Sequence, residues 1–346
     1  MLSEPDLDLI AALQVAPRAS VAVLAEALGV SASTVGRRLT RLEDQRILRV
    51  IGQVEWAARA RGNPRHVWVT TEPGASGSAA KALARFPEVQ LAAETEGRSD
   101  VYLTVHVPDR HQARELLAER IPGVAGVTGT HSELVLRAFT KVDSWRLPRL
   151  GEDQRDILLR EHVTPAPSAG FDADRMAPDE RRLIGLLTAN ARITAAEAGR
   201  ILNLSQSTTY RLIQSTLRRG IVRPRVEVEP AQLGYEVEAI ISLTIAPGAI
   251  QAVAGELARH PSARYVSIVA GTASVMHQGV FRDEDEMADF LTRDLAPLPG
   301  ITALQVCVML QVLRRYWLDR DEGRFASDAT PSEICRPPRP SLTAGK

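Results

Sequence analysis

Two short runs of hydroxyl and guanidinium side chains carry most of the chemistry this chain can do. The first is Ser31-Ala32-Ser33-Thr34-Val35-Gly36-Arg37-Arg38, followed by Arg41 and Arg49. The second is Ser205-Gln206-Ser207-Thr208-Thr209-Tyr210-Arg211, followed by Arg218, Arg219, Arg223 and Arg225. Hydroxyls and forked guanidiniums at helical spacing suit donation to base edges in a DNA major groove, and further arginines suit phosphates. In the first run Ser33, Thr34 and Arg37 are the base-facing candidates, with Arg38, Arg41 and Arg49 for the backbone. In the second, Ser207, Thr208, Tyr210 and Arg211 face the bases, with Arg218, Arg219 and Arg223 behind them. No Asp or Glu lies between Arg200 and Val226, whereas Glu43-Asp44 close the first run, so the second reader is expected to hold phosphates more strongly.

The elements that must position these residues follow from periodicity. Leu9, Ile10 and Leu13 recur at helical spacing, and Pro17 ends that helix. A second helix from Ser20 buries Leu24, Ala25 and Leu28 and stops at Gly29. Ser31 N-caps a third, in which Val35, Leu39 and Leu42 face inward and Ser33, Thr34, Arg37 and Arg41 face outward. Gly36 weakens that helix by roughly 0.5–1 kcal/mol relative to Ala. After Ile47-Leu48 the alternation of Val50–Glu55 predicts a wing or connecting strand. From His66 onward the pattern reads strand, helix, strand, strand, helix, strand, the βαββαβ order of a ferredoxin-like domain.

All of this recurs. Leu9 through Ala57 aligns without a gap onto Leu183 through Ala231, an offset of 174 residues, with identities that include Arg18/Arg192, Ser31/Ser205, Thr34/Thr208, Arg37/Arg211 and Arg49/Arg223. Gly97 falls on Gly271 at the same offset, and Pro122-Gly123 on Pro299-Gly300 after a gain of three residues. The expected fold class is therefore α+β, two tandem units each with a winged helix-turn-helix and a ferredoxin-like domain. The boundaries are helix-turn-helix 1 at 1–56, ferredoxin-like domain 1 at 64–140, a linker at 141–176, helix-turn-helix 2 at 177–230, ferredoxin-like domain 2 at 236–318, and a disordered tail at 320–346. One short helix is expected in the linker near Asp153–His162.

Composition limits the function classes. Lys plus Arg balance Asp plus Glu at 42 each, so any DNA affinity must come from local patches. Cys307 and Cys335 fit neither a disulfide framework nor a metal site. No apolar run approaches a membrane span and no leader opens the chain, which points to a cytoplasmic protein without membrane contact. No catalytic residue, metal or cofactor is expected.

In order, the residues resemble the Lrp/AsnC (feast/famine, leucine-responsive) transcription regulators. The resemblance is carried by Leu24-Ala25…Leu28-Gly29-Val30-Ser31…Arg37-Arg38-Leu39…Leu42-Glu43, by Phe86-Pro87-Glu88-Val89 with Gly97-Arg98-Ser99-Asp100-Val101-Tyr102, and by Pro122-Gly123-Val124. It implies double-stranded DNA as a partner, a small-molecule effector such as an amino acid, and self-association. The usual chain of this family carries one unit and dimerises, so two units imply a built-in pseudo-dimer able to assemble further. By resemblance the effector site lies at Gly97, Ser99 and Asp100, and at Gly271, Thr272 and Ser274. Ser274 replaces the acid found at Asp100, and the glycines also suit plain strand-to-strand turns.

Two other readings stay open. Siroheme decarboxylases share this two-domain fold, and such an enzyme would grip a tetrapyrrole's carboxylates with His, Arg or Tyr; His106, His111, His131, His260 and His277 share no metal-ligand spacing. The other is a regulator that has lost DNA binding and retains assembly.

Overall fold

A computed structural model describes residues 2–54, 62–140, 145–160 and 176–326. Its elements in chain order are α1 Glu4–Val15, α2 Val21–Leu28, α3 Ala32–Asp44, β1 Arg49–Val54, β2 Arg65–Thr71, α4 Ser76–Ala84, β3 Val89–Glu96, β4 Val101–Val105, α5 Arg110–Glu115 and β5 Val127–Thr140. There follow α6 Glu152–Leu159, α7 Pro178–Ala189, α8 Ala195–Leu202, α9 Gln206–Arg218, β6 Val222–Glu227, β7 Val237–Ile245, α10 Ile250–Arg259, β8 Ala263–Ala270, β9 Val275–Phe281, α11 Glu284–Asp289, β10 Ile301–Arg315, β11 Leu318–Asp321 and β12 Arg324–Phe325. The order α-α-α-β, then βαββαβ, occurs twice.

Local chemistry sets the helices of the first unit. The Ser20 hydroxyl accepts the Val23 N–H to start α2, and Gly29 ends it at φ +65°. Leu9, Ile10, Leu13, Leu24, Val35, Leu39 and Leu42 bury together as one core. The strand expected after Leu48 forms as β1, but among the described residues its partner is not a strand of its own unit. Instead β1 pairs antiparallel with β6, from Arg49↔Glu227 to Val54↔Val222, so each unit lends one strand to a shared ribbon. Gly52 makes this approach possible: a Cβ there would stand 2.5 Å from Val222 Cγ1 and 2.6 Å from the Leu187 carbonyl oxygen.

The ferredoxin-like halves have strand orders β3-β4-β2-β5 and β8-β9-β7-β10. The long closing strand of each half also pairs with the other half, β5 with β8 and β10 with β3. These two seams close the eight strands into a ring, which leaves none of them an open edge. Trp68, Leu91, Tyr102, Ile240, Met276 and Met309 form one cluster that draws on both halves. Each half also has its own cluster beneath its helices, around Val67, Leu83 and Leu103, and around Ile241, Val253 and Phe290.

Two expected boundaries change. The segment read as a linker contributes Leu147, Leu150 and Leu158 to the first helical core, and Gln154 donates to the Ala27 carbonyl. Apolar residues spaced along 147–158 need burial, and the α1–α2 surface supplies it. The tail read as disordered from Arg320 is ordered through Phe325: β10, β11 and β12 form a hairpin that turns at Tyr316 and Trp317, and Phe325 is buried. Trp317 anchors that turn by donating from its indole to the Pro87 carbonyl. The calls on Glu55–Ala57, His162, Cys335 and residues 327–346 lie outside the described residues.

Candidate functional site: reading helices and sensor turns

The two reading helices start alike. In α3 the Ser31 hydroxyl accepts the Thr34 N–H at 3.2 Å and meets the hydroxyls of Ser33 at 3.0 Å and Thr34 at 2.8 Å. In α9 the Ser205 hydroxyl accepts the Thr208 N–H at 3.2 Å and meets Ser207 at 3.1 Å and Thr208 at 2.8 Å. Each cap therefore fixes a serine and a threonine hydroxyl at the front of its helix. Ser33, Arg37, Ser207, Thr208, Tyr210, Arg211 and Arg218 are exposed, while Thr34 and Arg38 are half-buried. Tyr210 is 57% exposed, unusual for an aromatic side chain and suited to a partner surface.

Three of the arginines assigned to phosphates have internal work, and a fourth lines a cavity. Arg41 binds Asp6 at 2.5 Å and Arg219 binds Glu180 at 2.6 Å, tying each reading helix to the first helix of its own unit. Burial raises the Asp6 carboxyl, but hydrogen bonds from Ser3 and Arg41 bring it below its usual value. Arg49 lies over the Phe325 ring, where burial and then Arg320 lower its pKa. Arg223 lines a cavity between the units.

Arg18 and Arg192 join the units reciprocally. Arg18 donates to the carbonyls of Ala191 and Ile193, and Arg192 to those of Pro17 and Ala19. Each pair of acceptors is displaced from the other by the 174 residues that separate the arginines. Sequence reading found the identity of these two residues but not its purpose. A self-complementary contact of this kind is the mark of a two-fold interface, here within one chain.

The two sensor turns meet across the seams. Arg98 donates to Gln305 at 2.6 Å and reaches Thr272 at 3.4 Å. Thr272 and the Ala273 N–H both donate to Glu133 Oε1, at 3.0 and 3.1 Å. Glu133 is fully buried, and its Oε2 has no hydrogen-bond partner among the described residues. A Cβ on Gly97 would stand 2.6 Å from the Val306 carbonyl oxygen, and one on Gly271 would stand 2.4 Å from Glu133 Cγ, so both glycines are required by close approach. Asp100, placed by resemblance in the effector site, accepts the Thr71 N–H at 2.6 Å through Oδ2. Ser274 accepts the Ile245 N–H at 3.1 Å, the same structural task 174 residues on. Ser99 is buried, and its carbonyl accepts from Thr95.

The description "AsnC-type helix-turn-helix domain" matches residues 2–43, and "Lrp/AsnC ligand binding domain" matches 66–144 and 238–317. The chain carries both Lrp/AsnC domain types. An uncharacterized HTH-type transcriptional regulator of Pyrococcus abyssi is 27% identical over 134 residues, 38% of this chain and 85% of that protein. The HTH-type transcriptional regulator LrpA of the same organism is 22% identical over 139 residues, 39% of this chain and 99% of that protein. Over the full length, the fold is similar to the crystal structure of the siroheme decarboxylase NirDL, with TM-score 0.59 and 13% identity, covering 95% of this chain and 97% of that one.

Within the Lrp/AsnC ligand binding domains, Glu133, Arg98 and Gln305 meet at the junction of the turns, and sequence reading did not single them out for it. The register pairs Leu134 with Ala270 and Val308 with Glu96, so the offset stays at 174 through the closing strands, without the gain of three residues read from Pro299-Gly300, and Cys307 is the counterpart of Glu133. An acid where the other copy keeps an apolar thiol was the available signal. His260 and His277 meet through the Ser262 hydroxyl with ring centroids 6.5 Å apart, His66 and His277 are buried, with burial pushing each down to about 3, and no His/Cys/Asp/Glu group suited to a metal occurs among the described residues. Among those residues, no helix is long and apolar enough to cross a membrane.

Proposed function

We propose that this protein is a DNA-binding transcriptional regulator of the Lrp/AsnC type that reads one duplex with α3 and α9 and answers to a small molecule. The observation that carries the reading is the pair of matched caps. Two helices present Ser33, Thr34 and Arg37, and Ser207, Thr208 and Arg211, from the same backbone positions, on units joined by a self-complementary contact. Two helices reading successive major-groove faces stand about 34 Å apart along the duplex. Because Tyr210 replaces Gly36 and Leu212 replaces Arg38, the two half-sites differ. The effector site is the junction of the sensor turns, where the unsatisfied Glu133 oxygen and Arg98 match an ammonium and a carboxylate, the two charged ends of an amino acid. The chain acts without catalysis and in the cytoplasm, as a pseudo-dimer able to assemble further.

Fluorescence anisotropy with a duplex from upstream of its own gene, across salt and with each amino acid added, tests this. Binding is expected to weaken steeply with salt and to shift with at least one amino acid. Absence of DNA binding at low salt overturns the reading. The full-length likeness to NirDL favours a second reading, an enzyme acting on siroheme. Conversion of siroheme by the purified protein, followed by absorbance, would replace the first reading with the second.

A further inference from the structure

Between the two reading units lies a cavity of about 620 Å³, a size suited to a small ligand. Arg18, Arg146, Arg223, Arg225 and Arg264 line it, together with Tyr210 and Gln214 of α9, and none of its lining residues is Asp or Glu. Several of these arginines are engaged in the fold: Arg18 and Arg146 donate to the carbonyls of Ala191 and Gln14, and Arg225 binds Glu227 at 2.7 Å. Arg264 differs. It is 3% exposed, its nearest carboxylates Glu227 and Glu238 stand 3.9 Å away, and its Nε and Nη1 have no hydrogen-bond partner among the described residues.

The charge balance behind the wall is uneven. Four buried arginines, Arg225, Arg264, Arg315 and Arg320, face three buried glutamates, Glu227, Glu229 and Glu238. A buried guanidinium whose carboxylates lie beyond hydrogen-bond distance is poorly compensated, and an anion in the cavity would add negative charge beside Arg264. Burial and then the neighbouring Arg315 lower the pKa of Arg264, with Glu238 and Glu227 opposing them.

The corresponding place in the other half is closed. Arg49, the counterpart of Arg223, stacks on Phe325 at 5.3 Å, and Ile51, the counterpart of Arg225, packs with Leu318 and Phe325. Gln90 stands 174 residues before Arg264. The cavity and its charge belong to one side of the molecule.

We propose that this cavity binds a small polyanion carrying two or more carboxylate or phosphate groups. Arg264 and Arg223 serve as charge-assisted donors, and the bound anion holds α9 against the first unit through the wall that Tyr210 and Gln214 form. This site is separate from the sensor turns and does not depend on DNA binding.

Citrate and inorganic pyrophosphate distinguish the two sources of such oxygens. Isothermal titration of the full chain without DNA, at constant ionic strength, should show saturable one-to-one binding of one of them with Kd below about 1 mM. Arg264→Met should weaken that binding at least tenfold while circular dichroism stays unchanged, since it leaves three buried arginines against three glutamates. If that variant does not fold, Arg146→Gln and Arg223→Gln decide, each expected to weaken binding at least threefold. Saturable binding of neither probe overturns the proposal, as does wild-type affinity in the folded variants. A cavity that takes up neither anion while the variants lose affinity for duplex DNA would belong to DNA phosphates, which also overturns it.

Discussion

The two reading units share a frame and differ in what surrounds it. Ser31 and Ser205 build the same cap, and Arg18 and Arg192 make the same contact in opposite directions. The first unit is then sealed by the hairpin that ends in Phe325, and its Arg49 covers that ring. The second leaves Arg223 and Arg225 on the wall of a cavity and exposes Tyr210. The caps and the reciprocal arginines are held alike, whereas the ribbon strands, where Gly52 answers to Val226 and Ile51 to Arg225, and the surroundings of the cavity have diverged.

The largest test of that contrast is Gly52→Val, which places at 52 the residue found at its counterpart, Val226. The added side chain meets backbone at Leu187, so stability in urea should fall by about 3 kcal/mol, the upper end of overpacking effects. Unchanged stability would mean that β1 and α7 need no such closeness. Arg18→Ala and Arg192→Ala should each cost about 2 kcal/mol, because each removes charged donors from buried carbonyls. Near-equal losses sharpen the two-fold reading, and a difference above about 1 kcal/mol breaks it. Next come Arg37→Ala and Arg211→Ala, each expected to weaken duplex binding about tenfold if the arginine contacts a base. A silent Arg211→Ala, with a strictly palindromic footprint, would leave one reader rather than two.

A separate contrast concerns pH. His66 and His277 stand where the other half has Ile240 and Leu103, and burial, helped at His277 by His260, holds both at about 3 against a usual 6.5. They are neutral in the folded protein, and the unfolded chain takes up their protons below pH 6.5. Stability is therefore full above that pH and declines as pH falls toward 3. His277→Leu should flatten the decline, by at most about 1.4 kcal/mol per pH unit. An unchanged slope in urea titrations at pH 4, 5 and 6 would show that His277 does not carry it.

The helices and their caps were legible in the chain because they rest on neighbours: Ser31, Gly29 and the Leu9–Ile10–Leu13 stripe act over a few residues. The βαββαβ order was legible from alternation for the same reason. The β1–β6 ribbon was not, because Val50–Glu55 alternates equally well for a wing, and Gly52 acquires its meaning only against Leu187 and Val222. Leu147, Leu150 and Leu158 looked sparse among prolines and charges, yet they complete a core whose other members lie over a hundred residues away. At the candidate site, the exposed faces of α3 and α9 followed from periodicity. The ion pairs of Arg41 with Asp6 and Arg219 with Glu180 did not, since an arginine's reach is set in three dimensions. Asp100 was read for its charge, but its geometry makes it a backbone acceptor at the end of β2.

The ring of eight strands carries a consequence for the cell. Its seams, β5 with β8 and β10 with β3, both join strands of one chain. A ring built from separate halves would come apart on dilution, because its seams would obey mass action. Here connectivity sets the local concentration of each half around the other. The two faces stay together at a few copies per cell as they would at thousands.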